Sequence, residues 1–150
     1  MSLRAAFTNA GIVQPGSIKR GGVYMVRDEL VVFPEDRLPG AKRTRHEHRY
    51  VLVLQCQEDC DAPDIPTVLV APLSTRKRVK SRFDYELSHG TANLREDDYV
   101  KLALVQPMLK TELVKRVGIV DLAKMHDVVT VLLANIGGIR RPIDRPPSSH

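Results

Sequence analysis

Only two cysteines occur in 150 residues, Cys56 and Cys60 in the segment CQEDC. Two thiols do not build a disulfide framework, so a packed core has to hold the fold. Their four-residue step departs from the two-residue spacing common in zinc and redox pairs. A strand-end thiol and a loop thiol is the plainer reading; a metal site drawing on His46, His48, Cys56 and Cys60 is the lesser alternative. No run approaches the ~18 apolar residues that cross a bilayer. The opening residues MSLRAAFTNAGIVQPGS lack the apolar stretch of a secretory signal. These absences predict a cytoplasmic protein with no membrane partner. There is no glycine-rich phosphate loop and no Gly-x-Ser-x-Gly elbow, and HEH lacks the four-residue histidine step of a metalloprotease helix. No internal repeat is present.

What remains is a chain of one domain's length, 43% hydrophobic and 27% charged, which is enough to bury a core. Its net charge is +5, and the distribution says more than the total. Nine of the 23 basic residues fall in two short stretches: Lys42, Arg43, Arg45 and Arg49, then Arg76, Lys77, Arg78, Lys80 and Arg82. Glu47 is the only acid within them. Such clustering is the electrostatic footprint of a nucleic-acid binder. Ordinary solvated loops would look the same.

Residues 1–17 carry Gly, Pro and Ser punctuation and read as an arm. Residues 139–150 are proline-rich and read as a tail. Between them, 18–138 is the folded body. Strand signals dominate it: GGVYMVR, RYVLVLQC, TVLVAPL, FDYEL, YVKLALVQPM and KRVGIVD, with ELVVF a continuation of the first or a short strand of its own. Asp121 is a good N-cap for a helix whose Leu122, Met125, Val128, Val129, Leu132, Leu133 and Ile136 form one stripe, closed by Gly137 and Gly138. LKTELVK is a candidate short helix, and the acids Asp97 and Asp98 read as a turn. Five or more strands with short connections and a terminal helix predict a mainly β (α+β) fold: a small antiparallel barrel with a C-terminal helix.

One constellation carries chemistry. Arg49 starts one apolar strand and Ser74 ends another, with Thr75 beside it. If those strands pair antiparallel, Arg49 and Ser74 meet at one rim, beneath both basic stretches. An arginine and a hydroxyl there can hold a phosphate. His46 and His48 lie within reach as acid or base near neutral pH. The plain alternative for Arg49 is a strand-end arginine paired with an acid.

The order of KRGGVYMV, HRYVLVLQ, TVLVAPLST, FDYEL, YVKLALVQP and the terminal helix resembles the MazF/PemK/Kid toxin family of toxin–antitoxin systems. The resemblance implies an SH3-like β-barrel, a homodimer and a cognate antitoxin as partner. It also implies metal-independent cleavage of single-stranded mRNA, with no cofactor, through attack of the ribose 2′-OH on the adjacent phosphate. By position Arg49 matches the family's catalytic arginine, and Ser74 or Thr75 its catalytic hydroxyl. With His48 these are the expected catalytic residues. Lys42, Arg43, Arg45, His46, Arg76, Lys77, Arg78 and Lys80 are the expected RNA contacts.

The sequence departs from the family at several places. Tyr50 replaces a proline, and Gly22 stands where many members carry an acid. Ala103, Val105 and Gln106 occupy the place of an Arg-x-Asp-Gln group. The loop before Arg49 is longer and more basic than usual and lacks a Gly-Ser-Glu-Gln stretch. Either His46 or His48 substitutes for the missing acid–base group, or the arginine–hydroxyl pair suffices, or cleavage is lost. The competing functions are a non-catalytic barrel that binds RNA or inhibits a protein such as gyrase, as CcdB does, and a structural adaptor whose basic loops are only solvated.

Overall fold

The computed structural model describes residues 18–75 and 81–139. The arm expected over 1–17, the basic residues 76–80 and the tail from 140 onward lie outside these. Among the described residues, seven strands form one antiparallel sheet: β1 (Gly22–Arg27), β2 (His48–Val53), β3 (Thr67–Ser74), β4 (Asp84–Leu87), β5 (Asp98–Lys101), β6 (Gln106–Leu109) and β7 (Lys115–Ile119). Their order is β4-β5-β3-β2-β1-β7, with β6 also on β3. The sheet curls into a half-barrel, and helices α1 (Gln57–Asp61) and α2 (Leu122–Asn135) complete the fold. This is the mainly β architecture with a C-terminal helix that the strand pattern predicts.

The apolar runs of β2 and β3 arise because both faces of these strands are buried. Val51 and Val53 of β2 pack with Tyr24, Val26, Val68 and Val70 on one face. Leu52 packs on the other with Val23, Ala71, Leu73 and Val100, beneath Met125 and Val128 of α2. Each fully buried Val or Leu contributes about 1.5–3 kcal/mol. Strand β3 is the spine. One edge pairs with β2, and the other is divided: Thr67–Val70 face β6, and Leu73 and Ser74 face β5. Pro72, which has no N–H to give, lies between those two pairings.

Several local expectations give way to tertiary context. ELVVF is not a strand; 3-10 turns at Asp28–Leu30 and Pro34–Arg37 carry the chain away from β1. YVKLALVQPM is two strands, because the 3-10 turn Leu102–Leu104 makes the corner between β5 and β6. LKTELVK forms only the 3-10 turn Lys110–Glu112. There Lys110 is drawn inward, and its Nζ donates to the carbonyls of Asp59 (2.7 Å) and Ala62 (2.8 Å), capping the unforeseen helix α1. Asp98 begins β5 and does not lie in a turn. The α2 stripe is only partly buried: Met125 and Val128 enter the core, while Leu122 is 80% and Ile136 71% exposed.

Two glycines mark close approaches. A Cβ on Gly22 would lie 2.5 Å from the Tyr24 ring, which accounts for glycine where an acid was the family expectation. Gly118 of β7 backs onto the segment holding Ala92 and Asn93, both at positive φ. A Cβ there would come 2.1 Å from the Ala92 carbonyl oxygen. Backbone, not a pliable side chain, is in the way. Gly118→Ala is expected to destabilise the fold by about 1–3 kcal/mol, read as a lowered melting temperature in thermal denaturation.

Candidate active site

The centre of the site is a carboxylate. Asp28 follows β1 directly and is 1% exposed. Its Oδ1 accepts from Arg49 Nε at 2.8 Å and from Arg43 Nη2 at 2.7 Å, and its Oδ2 accepts from the His46 main-chain N–H at 2.9 Å. The Asp28 N–H in turn donates to the Glu47 carbonyl at 3.2 Å. Both guanidiniums also lie over the Phe33 ring, Arg43 Cζ 4.2 Å and Arg49 Cζ 4.6 Å from its centroid. Such cation–π contacts are worth about 0.5–2 kcal/mol each. Burial pushes the Asp28 pKa up, but the Arg49 and His46 hydrogen bonds and both arginine charges outweigh it and hold the carboxyl below its ordinary value.

The loop that carries Phe33 is itself anchored. Gln106 Oε1 accepts from the Val32 N–H at 2.8 Å, and Gln106 Nε2 donates to the Val32 carbonyl at 3.2 Å. Its amide thus substitutes for one rung of a strand. The glutamine in the family's motif here fixes a loop.

Above this cluster opens a cleft of about 690 Å³. It is lined by Arg49, Ser74, Thr75, His46, His48, Lys42 and Arg43 among the expected site residues. Val51 pairs with Pro72, and two further steps of that register bring Arg49 beside Ser74. Arg49 Nη1 donates to the Leu73 carbonyl at 3.2 Å. Arginine and hydroxyl therefore share a rim, and the arginine is also paired with an acid. Arg43 is drawn into the Asp28 cluster, with 14% of its side chain exposed, and Nη1 also faces Asp36 at 3.5 Å. Arg45 is exposed and stands outside the cleft lining. Arg76, Lys77, Arg78 and Lys80 lie outside the described residues. Arg82 is described, and its guanidinium covers Phe83 at 5.1 Å. His46, His48, Cys56 and Cys60 do not gather into a metal-holding group among the described residues. Cys60 is fully buried, and burial raises its thiol pKa.

Three charged residues of the site were not foreseen. Asp28 left only one sign, an arginine at a strand end in need of an acid. Lys101 lines the cleft and pairs with buried Asp84 at 2.8 Å. Asp98 lines it as well, 5% exposed. Burial, with Glu96 and Asp97 adding to it against Arg49, pushes its pKa up to about 6.

Residues 19–136 match the profile of the PemK-like, MazF-like toxins of type II toxin–antitoxin systems, and the chain belongs to this family. Three solved structures share its fold. An endoribonuclease from a mycobacterial species is 18% identical at a TM-score of 0.58, covering 84% of this chain and 96% of that one. A mycobacterial endoribonuclease in complex with its cognate antitoxin is 19% identical at 0.58, covering 84% and 100%. The Mycobacterium tuberculosis toxin MazF-mt6 is 16% identical at 0.57, covering 80% and 99%. No curated protein gives a significant match.

Asp28→Asn removes the charge that two guanidiniums share, and should cost about 3 kcal/mol. Because the folded pKa is depressed, the stabilisation is present above the ordinary value of 3.8 and lost as pH falls through the lower folded value. Thermal melts from pH 2 to 7 should show the wild type losing stability at the acid end and the variant losing less.

Proposed function

We propose that this protein is a toxin that cleaves single-stranded RNA without a metal ion, by attack of a ribose 2′-OH on the adjacent phosphate. The observation that carries this reading is the placement of Arg49 beside Ser74 at one rim of the cleft, with the arginine fixed by a buried carboxylate. Cleavage of this kind builds negative charge on a pentavalent phosphorus. A guanidinium and a hydroxyl already in position stabilise that charge without reorganising. Two of the similar mycobacterial proteins are described as endoribonucleases, which supports the same chemistry here. Arg49 and Ser74 are the proposed catalytic pair, with Thr75 as alternate hydroxyl. Lys42 and the basic stretch from Arg76 would grip phosphates without reading bases. A cognate antitoxin, a homodimer and action in the cytoplasm belong to the same proposal; one of the similar toxins was solved with its antitoxin.

The test is incubation of purified protein with single-stranded RNA in EDTA, followed by end mapping. Cyclic phosphate and 5′-OH ends are expected. Intact RNA at stoichiometric protein, or cutting only with added divalent cation, overturns the reading. Arg49→Lys keeps the charge but loses the fork that grips Asp28 and a phosphate together. It should slow cleavage about 10²–10³-fold with a small change in melting temperature. Parallel loss of rate and stability would make Arg49 purely structural.

A further inference from the structure

The buried carboxylates around the cleft are not alike. Asp28 is held by two arginines, and Asp84 by Lys101. Asp98 is 5% exposed, and its side chain makes no hydrogen bond or ion pair among the described residues. A carboxylate in that condition costs stability, and asparagine would fill the same space without a charge. Where a fold keeps a locally unfavourable group, function is the usual reason.

Its position fits a reaction. Strands β2, β3 and β5 lie side by side, and Ser74 pairs with Tyr99. Asp98 therefore follows one step along, next to Thr75. Tyr99 is the residue directly opposite Ser74, and strand alternation turns Asp98 and Thr75 to the other face; the cleft wraps that edge, and Asp98 lines it together with Arg49, Ser74 and Thr75. A phosphodiester held between Arg49 and Ser74 would lie in the cleft that Asp98 also lines.

We propose that Asp98 is the general base of the cleavage, an inference that rests on the ribonuclease reading above. The carboxylate takes the proton from the ribose 2′-OH as that oxygen bonds to phosphorus. The P–O5′ bond breaks, its electron pair leaves with O5′, and solvent protonates O5′. The products are a 2′,3′-cyclic phosphate and a 5′-OH. A base with a pKa near 6 is ionised at neutral pH yet basic enough to act. The charges bearing on it are Arg49 from β2 and Glu96 and Asp97 from its own connection. Arg95, Lys101 and His48 line the same cleft. β3 adds no charge, and Asp84 of β4 is already paired.

The experiment compares wild type, Asp98→Asn, Asp98→Glu and His48→Gln. Single-turnover cleavage of one single-stranded RNA is followed from pH 4.5 to 9, with melting temperatures alongside. Wild-type rates should rise with unit slope to a break near pH 6. Asp98→Asn should lose about 10²–10⁴-fold in rate and lose the break. It should also melt higher at pH 7.5, because the raised carboxyl pKa withdraws stability as pH climbs through about 6. Asp98→Glu should keep a break at a displaced pH. A structural role would move rate and melting temperature down together and overturn the proposal. So would an unchanged profile in Asp98→Asn, altered cut sites at an unaltered rate, or a break that vanishes in His48→Gln instead. Intact RNA with the wild type overturns the parent reading and this one with it; failure in the Asp98 variants alone overturns only this one.

Discussion

One carboxylate organises the site. Asp28 gathers Arg43, Arg49 and the His46 amide, and with them it ties the end of β1 to the start of β2 and to the long loop between. The charges are mutually dependent. Two guanidiniums stacked on one ring would repel without the shared acid, and the acid would not stay ionised in its buried position without them. The catalytic candidate, Arg49, is thus part of the scaffold that holds it. This arrangement spends some of the arginine's donors on positioning, Nε on Asp28 and Nη1 on Leu73, and Nη2 makes no hydrogen bond among the described residues.

The strands were legible because burial on both sides of β2 and β3 writes itself as continuous apolar runs, and α2 because Asp121 caps it and Gly137 follows it. The Arg49–Ser74 juxtaposition was legible for the same reason: antiparallel pairing turns a start and an end into neighbours. What was hidden depended on partners far away in sequence. ELVVF has strand-forming residues, but Gln106 takes Val32 into a side-chain rung and Phe33 is taken by two arginines. YVKLALVQPM alternates well, yet the corner that splits it is set by β3 offering its edge to two partners in turn. Asp98 looked like half of an acidic turn because a lone sequence cannot show that Leu87 and Ser74 lie on either side of its strand.

Asp28 and Asp98 also show opposite uses of burial. Both are withdrawn from water near the same arginine. One receives three donors and its proton is held off; the other receives none and its proton is retained to a higher pH. Environment, not residue type, separates a scaffold acid from a reactive one. A single guanidinium between them bears on both.

The divided edge of β3 has a consequence in time. Arg49, Ser74 and Asp98 come from strands whose pairing is completed only by later ones: β3 waits for β5 and β6, and β1 waits for β7. Contacts of such long sequence separation close late. While the chain is being synthesised, the rim that would hold a phosphate has no complete wall until most of the domain has emerged. The fold therefore keeps the site unassembled throughout most of its own translation.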